Sequence, residues 1–232
     1  VFLVHNRKTT LKTRAVARDQ HIVRIDQEDK EPIGPEIENK ILNFIKRQIE
    51  KIDSLIISDY LKGVITPSLA KNIIGLARQN NVPCLVDAKG DDYSRYENCY
   101  LLTPNEKELA FALNLKIDSE NRLLEAGKKT ISSFSCDNVL VKQGKEGMTL
   151  FEKNGNVFHF PAVNKKAKDV SGAGDTSIAV FALSLSAGAN PKEAVILASH
   201  ACGIAVGKVG TAVVFPEELE ASLKNNFNRK LS

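Results

Sequence analysis

Short apolar runs alternate along this chain with segments of helical periodicity, and this alternation restricts the possible folds more than any other feature. The runs predict buried strands at residues 54–58, 82–87, 100–102 and 138–142. Helices are predicted at residues 37–52, 67–80, 119–134, 173–187, 191–207 and from 216 onwards. Strands that alternate with helices form a mostly parallel sheet that is covered on both faces. No internal repeat or linker divides the 232 residues, so one α/β domain is expected.

Two stretches that precede the first of these strands, residues 9–18 and 21–26, alternate apolar and polar side chains. They predict a hairpin with one solvated face, attached to the main sheet as an appendage. A second hairpin is predicted from residues 148–160. Lys12 and Arg14 are two residues apart and therefore share one face of the first strand. That face either binds an anionic ligand or is simply solvated.

The composition excludes several classes of function. The net charge is +4 and the basic residues are scattered, which argues against nucleic acid as a partner. No apolar run reaches the roughly 18 residues of a membrane span, and no signal peptide is visible, so no membrane partner is expected. The four cysteines form no C-x-x-C pair, which predicts reduced thiols in a cytoplasmic protein rather than a zinc site. Because the first residue is not methionine, a longer parent protein is expected.

The stretch at residues 169–176, D-V-S-G-A-G-D-T, leads directly into an apolar helical segment. The small residues Gly172, Ala173 and Gly174 allow backbone N–H groups at the helix start to approach an anion, and the helix dipole favours negative charge there. Asp175 lies in the first turn, beside that anion. A base next to an anion-binding helix start suits the transfer of a phosphoryl group to a hydroxyl. The alternative is a glycine-rich turn whose aspartate only caps the helix.

Polar side chains follow the predicted strands at their carboxyl ends, where open α/β sheets bind their ligands. Residues 59–63 follow the first strand, and residues 87–90 lie at the end of the second. After the third strand, T-P-N-E at residues 103–106 has the spacing of a capping box with proline at the first helical position. Asn105 and Glu108 are three apart and are expected on one face of the first helical turns.

Together these motifs resemble the ribokinase-like (PfkB) family of sugar kinases. D-x-S-G-A-G-D at residues 169–175 resembles the C-terminal signature of that family, and N-x-x-E at 105–108 resembles its metal–phosphate motif, with V-K-Q-G at 141–144 between them. Within the family, the chain is most similar to the bacterial heptose-7-phosphate kinases. The segments that carry this likeness are T-T-x-K-T-R (9–14), A-R (17–18), R-x-D (24–26), S-D-Y-x-K-G (58–63), V-D-x-K-G (86–90), L-T-P-N (102–105) and V-G-K-V-G-T (206–211).

The resemblance implies a ribokinase-like three-layer α/β/α fold in which residues 9–26 form a small β lid that often serves as a homodimer interface. It implies ATP-dependent phosphorylation of the anomeric C1 hydroxyl of D-glycero-D-manno-heptose 7-phosphate, in ADP-heptose synthesis for the lipopolysaccharide core. The family also opens with strands that carry a G-G-x-x-x-N sugar-binding motif. That motif does not precede Val1, so the N-terminal part of the domain is expected to be missing. The alternatives are a kinase for ribose, fructose phosphate or a nucleoside, and a non-catalytic sensor.

The resemblance also assigns roles at the matching positions. Asp175 is implied as the catalytic base, with the N–H groups of Gly172, Ala173 and Gly174 on the transferring phosphoryl group. Asn105 and Glu108 would organise Mg²⁺ through water, although Glu108 also fits an ordinary exposed helix position.

Further residues are assigned to ATP, to the sugar phosphate and to a cation. Lys142 and Gly144 are candidates for ATP binding. Candidates for the sugar phosphate are Lys12, Arg14 and Lys89. Either Lys142 or Lys89 could reach the phosphates of ATP or of the substrate. Ser199, His200, Gly203 and Lys208 lie where the family builds its adenine pocket, although His200 equally fits a packed helix residue. Asp169 and Ser171 match positions that hold a monovalent cation, K⁺, in some relatives.

Overall fold

The computed structural model describes residues 1–4, 7–17, 20–164, 172–208, 210 and 212–229. The chain opens with a separate antiparallel hairpin, β1 (Leu11–Ala17) and β2 (Gln20–Gln27). The described residues also form a central six-stranded sheet, whose strands follow chain order: β3 (Leu55–Asp59), β4 (Cys84–Ala88), β5 (Leu101–Leu102), β6 (Asn138–Lys142), β7 (Met148–Glu152) and β8 (Val157–Phe160). The first four of these are parallel, whereas β7 and β8 are each antiparallel to the preceding strand.

Helices cover both faces of this sheet. One face carries α1 (Pro35–Gln48), α2 (Pro67–Gln79), α3 (Glu106–Ala112) and α4 (Glu120–Phe134). The other face carries α5 (Ala173–Ser186) and α6 (Pro191–Ala205), and α7 (Pro216–Arg229) packs against α6. Among the described residues, no helix is both long and apolar enough to cross a bilayer.

Each face of the sheet has its own apolar core. Successive residues of a strand point to opposite faces, so Leu85 of β4 packs with Ile178 and Phe181 while Val86 packs in the opposite core with Leu109. Both β4 residues are fully buried. Burial on both faces explains why the strands appear in the sequence as continuous apolar runs rather than as alternating patterns.

The α/β class, the parallel strands and both hairpins are confirmed. The helix predicted at residues 37–52 ends earlier, at Gln48, and continues as a single 3₁₀ turn, Ile49–Lys51. The capping box predicted at residues 103–106 is wrong, because α3 begins at Glu106 with Asn105 as its N-cap.

Sheet pairing accounts for this correction. The Thr103 N–H donates to the carbonyl of Val86 at 3.0 Å, and the carbonyl of Pro104 accepts the Lys142 N–H at 2.8 Å. The backbone therefore stays paired with β4 and β6 through Pro104, and helix formation starts only after it.

The hairpin has one mainly apolar face and one charged face. In its register Thr13 lies opposite Ile25 and Ala15 opposite Val23, while Lys12 lies opposite Asp26 and Arg14 opposite Arg24. Lys12 and Arg14 thus share a face, as predicted. On that face Asp26 accepts ion pairs from Lys12, at 3.4 Å, and from Arg24, at 3.0 Å.

Candidate active site

Asp87, Thr103 and Lys142 meet at the carboxyl edge of the parallel strands. The Lys142 Nζ lies 2.6 Å from Asp87 Oδ1, and the Thr103 hydroxyl donates to the same oxygen at 2.7 Å. The lysine and aspartate side chains are 18% and 14% exposed, so the pair is shielded but still reachable. Because β4, β5 and β6 end at one edge, residues far apart in the chain become neighbours there. The contacts hold the ammonium group at the position where such sheets bind ligands.

Asn105 and Glu108 form the capping box of α3. The Asn105 Oδ1 accepts the Glu108 N–H at 2.9 Å, and Glu108 Oε2 accepts the Asn105 N–H at 2.8 Å. Asn105 also makes a parallel bridge with Lys142, so the start of α3 lies directly beside the end of β6. The two residues of the N-x-x-E motif therefore have a structural role in addition to any ligand they bind.

The start of α5 faces the Lys142–Asp87 pair. Gly172 is its N-cap, with a left-handed φ of 80° and no side-chain hydrogen bond to the first turn. A Cβ placed on Gly174 would lie 3.4 Å from Lys142 Nζ and 3.9 Å from Asp87 Oδ2. Glycine at this position therefore leaves a gap between the helix start and the charged pair.

Asp175, in the first turn of α5, is exposed and accepts a hydrogen bond from Tyr60. The Tyr60 hydroxyl lies 3.0 Å from Asp175 Oδ1 and 3.2 Å from Oδ2. The Lys89 ammonium lies 5.0 Å from the centre of the Tyr60 ring, in cation–π geometry. Burial raises the pKa of Tyr60 to about 12, and the hydrogen bond and charge of Asp175 and the charge of Asp87 act in the same direction. The phenol therefore remains a protonated donor at neutral pH.

A cavity of about 270 Å³ opens beside the start of α5. Six predicted site residues line it: Lys142, Gly144, Ala173, Gly174, Ser199 and Gly203. Apolar side chains complete much of the wall, among them Met148, Val163, Cys202 and Val206. A mainly apolar cavity with a lysine at its edge suits a flat heterocycle that is attached to anionic groups.

Contacts between α6 and its neighbours fix the walls of this cavity. The Cys202 thiol donates to the carbonyl of Ala173 at 3.2 Å, and burial raises its pKa to about 11, which keeps the thiol protonated. The Asn164 amide donates to the carbonyl of Gly203 at 3.2 Å. A Cβ on Gly203 would lie 3.0 Å from the Cβ of Val163. Glycine is therefore needed for the segment at 162–164 to pack this closely against α6.

Two residues predicted for the adenine pocket are engaged elsewhere. His200 is 5% exposed and its Nδ1 lies 2.8 Å from the Ser222 hydroxyl of α7; burial lowers the pKa of His200. Lys208 donates to the carbonyl of Val213 at 2.8 Å and to Glu218 at 2.7 Å. Neither residue lines the cavity in the described part of the chain. Their role in nucleotide binding stays a prediction.

The residues predicted for the sugar phosphate lie in two separate places, and those predicted for the cation are not described. Lys89 joins the site edge through Tyr60, whereas Lys12 and Arg14 lie on the charged face of the hairpin, with Lys12 paired to Asp26. Asp169 and Ser171 lie outside the described residues, so their prediction has no structural counterpart here.

A comparison with known families classifies the chain. The family model for the pfkB family carbohydrate kinases matches residues 2–218. The chain belongs to the pfkB family of carbohydrate kinases. A relative in Geobacter metallireducens, named bifunctional protein HldE, is 43% identical over 223 residues, which cover 96% of this chain and 46% of the relative. The HldE of Trichlorobacter lovleyi is 42% identical over 94% of this chain and 44% of its own length. The chain thus spans less than half the length of these relatives.

Solved structures show the same fold. Phosphofructokinase-2 from Escherichia coli, in complex with potassium, superposes with a TM-score of 0.78 at 20% identity and covers 94% of this chain and 71% of its own. Arabidopsis thaliana ribokinase, complexed with ribose and ATP, has a TM-score of 0.75 at 20% identity, with coverage of 94% and 70%. At such identities the likeness establishes the fold alone.

Tyr60, Asp87 and Thr103 lie at the candidate site of this pfkB-family chain, although no functional role was predicted for them from the sequence. Two signals were available: these residues lie at the ends of buried parallel strands, and they fall within the family-like segments 58–63, 86–90 and 102–105. Their partners were not predictable in the same way, because Tyr60 contacts a residue 115 positions away and Asp87 one that is 55 positions away.

The residues of this pfkB site fit a hydrated magnesium ion. Within the described residues, no three His, Cys, Asp or Glu side chains are grouped to hold a metal. Mg²⁺ needs no such group, because it keeps several waters and is held by one or two carboxylates together with substrate phosphates. Glu108 and Asp87 supply carboxylates at the edge where the α5 start and Lys142 would bind those phosphates.

Proposed function

We propose that this chain transfers the γ-phosphoryl group of ATP to the anomeric C1 hydroxyl of D-glycero-D-manno-heptose 7-phosphate, which yields the 1,7-bisphosphate. The observation that carries the proposal is the convergence of Asp175, the α5 start and Lys142 beside one cavity. The heptose assignment rests on the segments at 58–63, 86–90 and 206–211 that resemble heptose-7-phosphate kinases. The product would enter ADP-heptose synthesis for the lipopolysaccharide core, in the cytoplasm.

Asp175 is the base in this proposal. Its carboxylate accepts the proton of the sugar hydroxyl while the hydroxyl oxygen attacks the γ-phosphorus and the bond to ADP breaks. A positioned base contributes about 10²–10⁴ in rate. The exposed position of Asp175 in the first turn of α5 leaves room for a hydroxyl to approach it.

The remaining groups bind and neutralise the phosphates. The start of α5 has no side-chain cap and lies beside Lys142, so its N–H groups at residues 172–174 would bind the phosphoryl oxygens, and the helix dipole adds to their attraction for anions. In phosphoryl transfer, positioning and charge stabilisation account for most of the catalysis. Asn105 and Glu108 would hold Mg²⁺ through water, and the charge of that ion would offset the charge of the phosphates. Asp169 and Ser171 are the proposed K⁺ ligands.

The cavity receives the nucleoside of ATP between β7 and α6. Ser199, Gly144 and Gly203 contribute polar or small surfaces to its wall. His200, on α6, and Lys208, after its end, would support the nucleotide site indirectly, by fixing α6 and the following loop against Ser222 and Glu218.

The hairpin at residues 9–26 serves as a lid and as a homodimer interface in this proposal. Its charged face would bring Lys12 and Arg14 to the 7-phosphate, and Lys89 lies over the ring of Tyr60, the residue that contacts Asp175. Its other face exposes Leu11, Val23 and Ile25 by 55%, 49% and 57%, which is an apolar surface suited to a second copy. A closed lid would keep water from competing for the phosphoryl group.

A substrate panel tests the proposed function. The full-length gene product is assayed for ADP release with Mg²⁺, ATP and one of four acceptors: heptose 7-phosphate, ribose, a fructose phosphate or a nucleoside. We expect heptose 7-phosphate to give the highest kcat/KM, by at least about tenfold, because the proposed cations Lys12, Arg14 and Lys89 can form charge-assisted hydrogen bonds only with an acceptor that carries a suitably placed phosphate. Faster turnover of an unphosphorylated sugar would refute the heptose assignment, and no turnover of any acceptor would favour the sensor alternative.

Lys142→Met is expected to raise KM for ATP by about 10- to 100-fold, because a charge-assisted hydrogen bond to phosphate contributes roughly 1.5–3 kcal/mol. The dissociation constant of a non-hydrolysable ATP analogue, measured by calorimetry, should rise in parallel. Lys153→Met is the matched control, since Lys153 is 60% exposed and pairs only weakly with Asp137, at 3.6 Å. If Lys142→Met bound ATP as tightly as the wild type, the assignment of Lys142 to the nucleotide site would be wrong.

A further inference from the structure

The hydroxyl of Tyr60 contacts the carboxylate of Asp175 across the site. It lies within 3.2 Å of both carboxylate oxygens, and it approaches from the end of β3, on a different element from the base. A carboxylate offers about four lone-pair positions. One phenol donor therefore leaves the remaining positions available to a sugar hydroxyl.

The turn that carries Tyr60 is fixed by a buried carboxylate. Asp59 is 2% exposed; its Oδ2 accepts the Tyr96 hydroxyl at 2.5 Å and its Oδ1 accepts the Leu61 N–H at 2.7 Å. Leu61 has a left-handed φ of 54°, a conformation that a leucine keeps only where its surroundings hold it. The side chain of Leu61 also packs so close to Gly90 that a Cβ there would lie 2.6 Å from Leu61 Cδ1. Tyr60 is thus presented on a rigid turn.

We propose that Tyr60 is a positioning residue for the base: it fixes the orientation of the Asp175 carboxylate so that one oxygen faces the attacking sugar hydroxyl. The inference rests on the proposed role of Asp175. An exposed aspartate otherwise samples several side-chain rotamers. A base must lie about 2.6–3.2 Å from the proton that it accepts, so a carboxylate held in one orientation reacts more often than one that rotates.

The charged groups around this contact are Lys89, over the Tyr60 ring, and the Lys142–Asp87 pair, beside Gly174. Tyr60→Phe keeps the ring that Lys89 contacts and removes only the hydroxyl. The substitution therefore isolates the hydrogen bond to Asp175 from the cation–π contact.

The kinetic test compares Tyr60→Phe with the wild-type full-length protein, using ATP, Mg²⁺ and heptose 7-phosphate. We expect kcat to fall about tenfold while KM for the sugar changes less than about twofold, because the hydroxyl orients the base and does not bind substrate. Tyr100→Phe, which removes a hydroxyl just before β5 at the opposite end of the sheet, should keep wild-type values. A Tyr60→Phe variant with wild-type kcat, or one whose loss of activity lies in KM for the sugar and not in kcat, overturns the inference.

A second measurement does not depend on turnover. In protein labelled with ¹³C at tyrosine Cζ, the Tyr60 resonance is assigned by its loss in Tyr60→Phe. Replacing Asp175 with Asn should shift that resonance at neutral pH, because the phenol loses its charged acceptor. A resonance that stays in place overturns the inference even if the protein is an active kinase. A shifted resonance in a protein that phosphorylates no sugar supports the contact and refutes the proposed function instead.

Discussion

Replacing Asp175 with Asn is expected to lower kcat for sugar phosphorylation by about 10²–10⁴-fold, the usual contribution of a positioned base. Asparagine preserves the size of the side chain and can still accept the Tyr60 hydrogen bond through its carbonyl, but it cannot take the proton of the sugar hydroxyl. Asp175 is exposed in the first turn of α5, so the fold should tolerate the change. KM for ATP should stay within about threefold, because the lost interaction forms mainly in the transition state.

The measurement is the initial rate of ADP release at saturating ATP and heptose 7-phosphate. Asp118→Asn is the matched control, since Asp118 is an exposed aspartate that pairs with Lys116 at 3.1 Å on the protein surface. That variant should retain wild-type kcat. Full activity of Asp175→Asn would exclude Asp175 as the base. Anion binding would then be the only remaining role proposed for the start of α5.

Most of the secondary structure was predictable because local signals agreed with the tertiary packing. Buried strands appear as apolar runs when both faces of the sheet are covered, and β6 begins and ends at the predicted residues. Helices α2, α6 and α7 each begin at the predicted proline, Pro67, Pro191 and Pro216. Proline suits a first helical position because it lacks the N–H that would have no partner there.

The start of α3 was not predictable from the local pattern. Two overlapping segments, 103–106 and 105–108, both have the spacing of a capping box. Pairing of Thr103 and Pro104 with neighbouring strands decides between them, and a single sequence contains no signal for such non-local pairing.

The candidate site also contains features that local sequence signals predicted and contacts that they did not predict. The motifs at 105–108, 141–144 and 169–175 each predicted a functional segment, and the described parts of these segments lie together at one edge of the parallel sheet. The contacts of Tyr60 with Asp175 and of Tyr96 with Asp59 join residues 115 and 37 positions apart. Tyr60 and Asp59 lie at the end of β3, whereas Asp175 lies in α5 and Tyr96 in a 3₁₀ turn, so each contact depends on how distant elements pack and not on local spacing.

Gly63→Ala is expected to destabilise the protein by about 2–5 kcal/mol. Gly63 has a φ of 77°, and a left-handed residue with a Cβ costs roughly 1–2 kcal/mol. A Cβ at this position would also collide with the backbone carbonyl of Glu31 and lie 2.7 Å from the carbonyl oxygen of Lys30. Backbone cannot rotate aside as a side chain can, so relieving the overlap adds about 1–3 kcal/mol. Urea denaturation followed by circular dichroism measures the change.

Gly75→Ala makes the same chemical change where the opposite result is expected. Gly75 lies inside α2, and no neighbouring atom comes within 4 Å of the position that a Cβ would occupy, so alanine should stabilise the helix by about 0.5–1 kcal/mol. If both variants changed the free energy of unfolding in the same direction, the tight turn at residues 59–63 would be contradicted. Because that turn also presents Tyr60 to Asp175, Gly63→Ala should lower kcat even at temperatures where the variant remains folded. Loss of stability with an unchanged kcat would show that the turn supports the fold without positioning the base.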